Sequence, residues 1–283
     1  MKKPGFNDLN GKTCVITGGG GAIGSSLALY LAEAGMKIAI LDINSRRTVE
    51  VADQITGEMK GVALGVETNV LDKESLLQAK RKINKDLGKI DFLINAAGGN
   101  SPKGTTEAEF LESVSEEDLQ KSIYGLDIEG FRWVFDLNLS GTLLPTMVFT
   151  RDMLEQGKGA VVNFSSMSAL RSLTRVGAYS AAKAAVTNLT EWLAVHLAKK
   201  NIRVNAVAPG FFVGDQNRFL LFDEKTGELS ARGKKIIANT PMNRFGNYNE
   251  IHGSIAFLLS EMAGFITGVT LPIDGGFNVY SGV

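Results

Sequence analysis

The chain has 283 residues, 44% of them hydrophobic and 21% charged, with 30 basic against 30 acidic side chains. That length and apolar content can fill the core of one domain spanning 1–283. The even charge leaves no electrostatic footprint for nucleic acid or an anionic membrane, so a small soluble partner is expected. No apolar run approaches a membrane span, and residues 1–11 are too polar for a signal-peptide core, which predicts a cytoplasmic protein. Cys14, the single cysteine, excludes an intramolecular disulfide and reads as a small buried hydrophobe. His196 and His252 lack a second ligand at metal spacing, so no metal site is predicted.

In chain order, residues 12–17 form a short apolar strand ending in Thr17. A glycine run follows, with Gly18, Gly21, Ile23 and Gly24, and then a helical segment over 25–35. Glycines let a backbone approach a pyrophosphate, and the free amides and dipole of a helix start favour an anion. A second strand over 37–42 ends in Asp42, eighteen residues past Gly24, where a carboxylate can accept from adenosine ribose hydroxyls. This favours NAD over NADP, because the same charge repels a 2′-phosphate; Arg46 and Arg47 follow closely and could compensate, or simply begin the next helix in solvent.

A third strand is predicted over 61–70, ending in Asn69 and Val70, then a surface helix over 72–88. A fourth, over 90–95, runs into Asn95, Ala96, Ala97 and Gly98. Residues 99–130 are read as an insertion, either a substrate cover or a subunit contact. Asn138 follows. A fifth strand over 159–164 leads to Ser166, and thirteen residues later Tyr179 begins a pair with Lys183 in an Ala-rich helix. Residues four apart share a helix face. At about 4 Å and an effective dielectric of about 20, the ammonium attracts a phenolate by ~4 kcal/mol, enough to bring a phenol from about 10 towards about 7. The final stretch holds a strand over 202–208 closed by Pro209 and Gly210, a lid over 210–245 with a helix over 229–238, a helix over 248–260, and a last strand starting at 269. Seven buried strands alternating with helices imply one Rossmann-like, doubly wound parallel α/β sheet with helices on both faces.

These fragments resemble the short-chain dehydrogenase/reductase family over essentially the whole chain. Thr17, Gly18 and Gly24 match its TGxxxGxG loop, with Ala22 in place of the middle glycine and Gly21 beside it. Asn69-Val70 stands where the family has Asp-Val at the adenine, and Asn95-Ala-Ala-Gly98 where it has NAG. The resemblance implies a catalytic set of Asn138, Ser166, Tyr179 and Lys183. It also implies cofactor contacts from the residues above together with Tyr179, Lys183, Pro209 and Gly210, and a homotetramer.

The lid and the C-terminal turn resemble a bacterial branch of the family that acts on sugar acids. A substrate carboxylate could pair with Lys103, Arg171, Arg175 or Arg218, with Gln216, Asn217 and Asn100 as further polar contacts. A dehydrogenase for another polyol or keto-acid, such as 5-keto-gluconate, is the alternative. A cofactor-binding regulatory protein without turnover is the reading from a different class.

Overall fold

The structure, a computed structural model, describes residues 6–214, 218–223 and 226–282. Its strands are β1 Thr13–Thr17, β2 Lys37–Asp42, β3 Val62–Glu67, β4 Phe92–Asn95, β5 Gly159–Phe164, β6 Ile202–Pro209 and β7 Thr270–Ile273. All pair in parallel, in the order β3-β2-β1-β4-β5-β6-β7. The helices between the first strands are α1 Ala22–Glu33, α2 Ser45–Asp53 and α3 Lys73–Asp86. After β4 come α4 Glu116–Gln120, α5 Ile128–Phe135 and α6 Gly141–Gln156, the last two joined through a widened turn at Asp136–Ser140. The rest are α7 Met167–Leu170, α8 Gly177–Leu197, α9 Arg218–Leu221, α10 Ala231–Ala238 and α11 Asn249–Leu259. This is the Rossmann-like α/β fold that the alternation of strands and helices implies.

Strand side chains alternate between faces, so the central strands feed two cores. Cys14, Ile16, Ile38 and Ile40 pack against Leu27 and Leu31 of α1 and Ile251 and Ile255 of α11. Val15, Ala39 and Leu41 point the other way, against Leu76 and Ile83 of α3, Phe149 of α6 and Leu193 of α8. Burial drives the Cys14 thiol far up, so it is an inert core group.

Several boundaries differ from expectation by a few residues: α1 spans Ala22–Glu33 rather than 25–35, β4 starts at Phe92 rather than 90, and two others shift for a plain local reason. The third strand stops at Glu67 because the Asn69 carboxamide accepts the Leu71 N–H (3.0 Å) and turns the chain. The lid helix starts at Ala231 rather than 229, since Ser230 caps it by accepting from Gly233 N (3.1 Å), while Leu229 bridges to Phe222. The last strand is Thr270–Ile273. Within 99–130 the chain forms a turn at Pro102–Gly104 and the short α4, then enters α5, whose first amides are capped by Asp127.

The strand order reverses direction between β1 and β4, and in open α/β sheets ligands bind at the carboxyl ends beside such a switch. The segments leaving β1, β4, β5 and β6 meet at that edge.

Candidate active site

The turn after β1 is built so tightly that only glycine fits. Gly18 has φ +65°, and a Cβ there would lie 2.7 Å from Ala97 Cα on the segment leaving β4. At Gly24 a Cβ would lie 2.3 Å from the Gly18 carbonyl oxygen. Thr17 sits under the turn and its hydroxyl accepts from Ala97 N (3.2 Å). Helix α1 opens after Gly21 with no side-chain cap, leaving its first amides, including that of Ile23, available to an anion. Asp42, at the end of β2, accepts from Gly20 N (3.1 Å) and Asn44 N (3.0 Å). The two arginines behind it separate: Arg47 folds back towards the Gly20 carbonyl (3.4 Å), whereas Arg46 pairs with Glu50 in solvent (2.8 Å). Thr17, Gly18, Gly21, Ile23, Gly24 and Asp42 thus form one cradle at the start of α1. Asn69 is exposed at the next strand end, and Val70 is buried against Gly141.

Asn95 does not join that cradle through its side chain. It is 1% exposed and turned inward, donating to Thr146 Oγ1 (2.9 Å) and Asn163 Oδ1 (2.8 Å). Asn163 in turn donates to Thr190 Oγ1 on α8 (2.9 Å). Ala96 and Gly98 carry the exposed part of this turn. A Cβ on Gly98 would lie 2.6 Å from Asn138 Oδ1 and 3.2 Å from Lys183 Nζ, so a glycine here opens the space shared by those two side chains. Asn138 itself is fully buried. Its carboxamide accepts from Gly99 N (3.2 Å) and donates to the Gly99 and Val134 carbonyls (2.7 Å each).

Ser166 and the pair on α8 come together at the end of β5. Ser166 caps α7, and its hydroxyl faces Tyr179. Lys183 is 4% exposed, with Nζ 5.6 Å from the centre of the Tyr179 ring, and it donates to the Phe164 carbonyl (2.7 Å). Burial lowers the ammonium from its usual 10.5 to about 8. The phenol does not follow the expectation of a lysine-lowered value: burial raises it above its ordinary range, and only the Ser166 hydroxyl acts against that. The ammonium is engaged with the Phe164 carbonyl, and desolvation of the phenol dominates.

Three of the seven proposed substrate contacts have side chains engaged elsewhere. Arg171 donates from Nε to the Asn278 carbonyl (2.7 Å), tying the loop after Ser166 to the C-terminal turn. Arg218 lies over the Phe222 ring (4.7 Å). Asn100 donates to Thr105 Oγ1 (3.0 Å). Lys103 is exposed, on a turn whose next residue, Gly104, packs close to Ala178 at the start of α8. Arg175 holds a left-handed φ of +71°, and its carbonyl accepts from Thr106 N (2.9 Å). Gln216 and Asn217 lie outside the described residues. Pro209 and Gly210 end β6, and Gly210 packs directly on Asp274.

Two features were not read from the sequence. Glu109 of the 99–130 segment pairs with Lys235 of α10, and Arg175 and Arg232 also act on its carboxylate. Ser168 places its hydroxyl 3.0 Å from that of Ser166. The only sequence signal for the second is a serine two positions past a serine cap. Among the described residues, no group of three His, Cys, Asp or Glu side chains is placed to hold a metal ion, and no helix is long and apolar enough to cross a membrane.

A glycine cradle at the switch point, with a buried serine, a half-buried tyrosine and a buried lysine on the same sheet edge, defines a dinucleotide-dependent oxidoreductase. Comparison with known proteins narrows the class. A family model described as enoyl-(acyl carrier protein) reductase matches residues 20–278. The Bacillus subtilis uncharacterized oxidoreductase UxuB is 45% identical over 281 residues, covering 99% of each chain. A solved structure from Haemophilus influenzae, described as a candidate D-mannonate oxidoreductase with bound NAD, is 46% identical. It superposes with a TM-score of 0.92 over 97% of this chain and 98% of its own. A gluconate 5-dehydrogenase from Burkholderia cenocepacia, in complex with NADP and tartrate, gives a TM-score of 0.80 at 28% identity, over 97% of both chains. The chain belongs to the short-chain dehydrogenase/reductase family and is an NAD(P)-dependent oxidoreductase acting on CH–OH groups.

Proposed function

We propose that the protein interconverts D-fructuronate and D-mannonate with NAD(H) as cofactor: D-fructuronate + NADH + H⁺ ⇌ D-mannonate + NAD⁺. The observation that carries the chemistry is the convergence of Ser166, Tyr179 and Lys183 beside the glycine cradle. The substrate is supported by full-length similarity to the Haemophilus influenzae protein. Asp42 against the cradle supports NAD over NADP.

The cradle residues and Lys183 hold the dinucleotide, which when bound supplies or accepts the hydride. In the reductive direction the Ser166 hydroxyl donates to the substrate carbonyl oxygen, and Tyr179 delivers the proton to the oxygen as negative charge develops there. Lys183, charged below about pH 8, favours phenolate while Tyr179 is without its proton. Asn138 fixes Gly99 and the floor beside Lys183, and we assign the proton path past these two side chains.

The described parts of segments 99–130 and 210–245 cover the substrate in this reading, joined by the Glu109–Lys235 pair. Arg175 is the preferred partner for the hexuronate carboxylate. It precedes Tyr179 by four residues, and its strained backbone is held by Thr106 of the covering segment. A cytoplasmic homotetramer completes the proposal, on family resemblance, and sedimentation of the purified protein tests the assembly.

The experiment is NADH and NADPH oxidation with D-fructuronate, D-tagaturonate and 5-keto-D-gluconate, with Tyr179→Phe as control. D-fructuronate with NADH should be turned over fastest, and Tyr179→Phe should lose at least ~100-fold in kcat. A preference for 5-keto-D-gluconate would move the assignment to a gluconate 5-dehydrogenase, and full activity in Tyr179→Phe would overturn the mechanism.

A further inference from the structure

We infer that Ser168 is a positioning residue: its hydroxyl fixes the direction in which the Ser166 hydroxyl offers its proton. The inference rests on the catalytic reading of Ser166 and Tyr179 above, and adds to it a residue that acts through the Ser166 hydroxyl.

Ser166 leaves β5 in an extended conformation, φ −161° and ψ 154°, and caps the single turn of α7. Its oxygen accepts twice from the same residue, from Ser168 N (3.2 Å) and from the Ser168 hydroxyl (3.0 Å). A serine hydroxyl has two acceptor positions and one proton. With both acceptor positions filled, Ser166 can act towards Tyr179 and a substrate carbonyl only as a donor. A donor is what the developing oxyanion requires.

Without the second hydroxyl the geometry permits a competing arrangement. One acceptor position on Ser166 would then be empty, and the nearby phenol could donate into it. Ser166 would hold the proton that Tyr179 must deliver, and its own proton would be free to turn away from the substrate. The Ser168 hydroxyl closes that alternative.

The surroundings favour this single role. Ser168 is 3% exposed, and its side chain is turned onto Ser166. The neighbouring Ser165 cannot substitute, because its hydroxyl is engaged with the Lys183 carbonyl (3.2 Å) and Thr187 Oγ1 (2.7 Å) on α8. The backbone amide of residue 168 caps whatever its side chain is, so Ser168→Ala leaves α7 its cap and removes one hydrogen bond only.

The test is a double-mutant cycle on kcat in the D-fructuronate/NADH assay, with wild type, Ser166→Ala, Ser168→Ala and the double variant. Ser168→Ala should lower kcat about tenfold with the KM for NADH unchanged. The same substitution should cause no further loss once Ser166 is alanine, because its effect passes through that hydroxyl. Ser168→Thr, which restores the hydroxyl, should recover most of the rate, and Ser168→Cys serves if threonine does not fold.

A second measurement needs no substrate. The ultraviolet titration of Tyr179, taken as the difference from Tyr179→Phe, should move to higher pH in Ser168→Ala, because Ser166 is no longer held as a donor to the phenolate. An equal fold-loss in both backgrounds, or full activity in Ser168→Ala with an unmoved phenol titration, would overturn the inference. Failure of the catalytic reading looks different, since Tyr179→Phe would then keep its activity.

Discussion

Replacing Lys183 with methionine tests the electrostatics of the site through folding stability alone. In the native protein the ammonium is buried and its pKa falls from 10.5 to about 8. Between those values the unfolded chain holds a proton that the folded chain has released, so stability rises with pH across this window. The cost of burying the charge is fully present below about pH 8 and is relieved as the solution approaches pH 10.5. At 1.36 kcal/mol per pKa unit, the whole relief is about 3 kcal/mol. Lys183→Met removes the titrating group and keeps a similar volume. Urea unfolding of both proteins at pH 7, 8, 9 and 10 should therefore show the wild type gaining on the variant by up to ~3 kcal/mol over the series. The comparison cancels every other titrating group. A difference that stays constant with pH, or one in which the wild type loses ground, would refute the burial of a charged Lys183.

Asp152 of α6 should behave in the opposite sense. It is fully buried, but Lys80, the Ile90 amide (3.1 Å) and Lys89 (3.6 Å) outweigh the burial and hold its carboxyl below the usual value. Its contribution is present above its unfolded pKa and fades as pH falls through the folded one. Asp152→Asn should thus cost about 3 kcal/mol at pH 7 and progressively less towards pH 3, read by denaturant unfolding. Gly18→Ala places a Cβ 2.7 Å from Ala97 Cα in a left-handed residue. NADH affinity, measured by fluorescence, should fall at least ~10-fold while circular dichroism stays native, and unchanged affinity would remove that turn from the cofactor site.

Much of the fold was legible because its signals are local. The strands of the sheet are short apolar runs, the glycines of 18–24 announce a turn no other residue can make, and the four-residue spacing of Tyr179 and Lys183 is a property of any helix. What escaped depends on distant partners. Asn95 looked like a cofactor contact because it ends β4 beside Gly98, but its side chain meets Asn163 only through the register of β4 on β5. Arg171 looked available until the chain brought Asn278 back to it, 107 positions later. The phenol of Tyr179 went the wrong way because spacing along a helix says nothing about how deeply both ends of the pair are buried. Ser168 was passed over because a hydroxyl's partner cannot be read from composition.

The inward turn of Asn95 bears on how accurately the reaction centre is held. An apolar interior is permissive, since one aliphatic contact can replace another when a helix shifts along its axis. The chain Thr146–Asn95–Asn163–Thr190 permits no such drift, because it keys α6 and α8 to the two central strands by hydrogen bonds of 2.8–2.9 Å. Displacing α8 by even one residue would strand several amide and hydroxyl groups where water cannot reach them, at about 1–3 kcal/mol each. Thr190 lies eleven residues beyond Tyr179 on that helix, roughly 16 Å along its axis at 1.5 Å per residue. The polar seam therefore acts as an indexing pin: it stands well away from the chemistry, yet it sets the height at which the tyrosine meets its substrate.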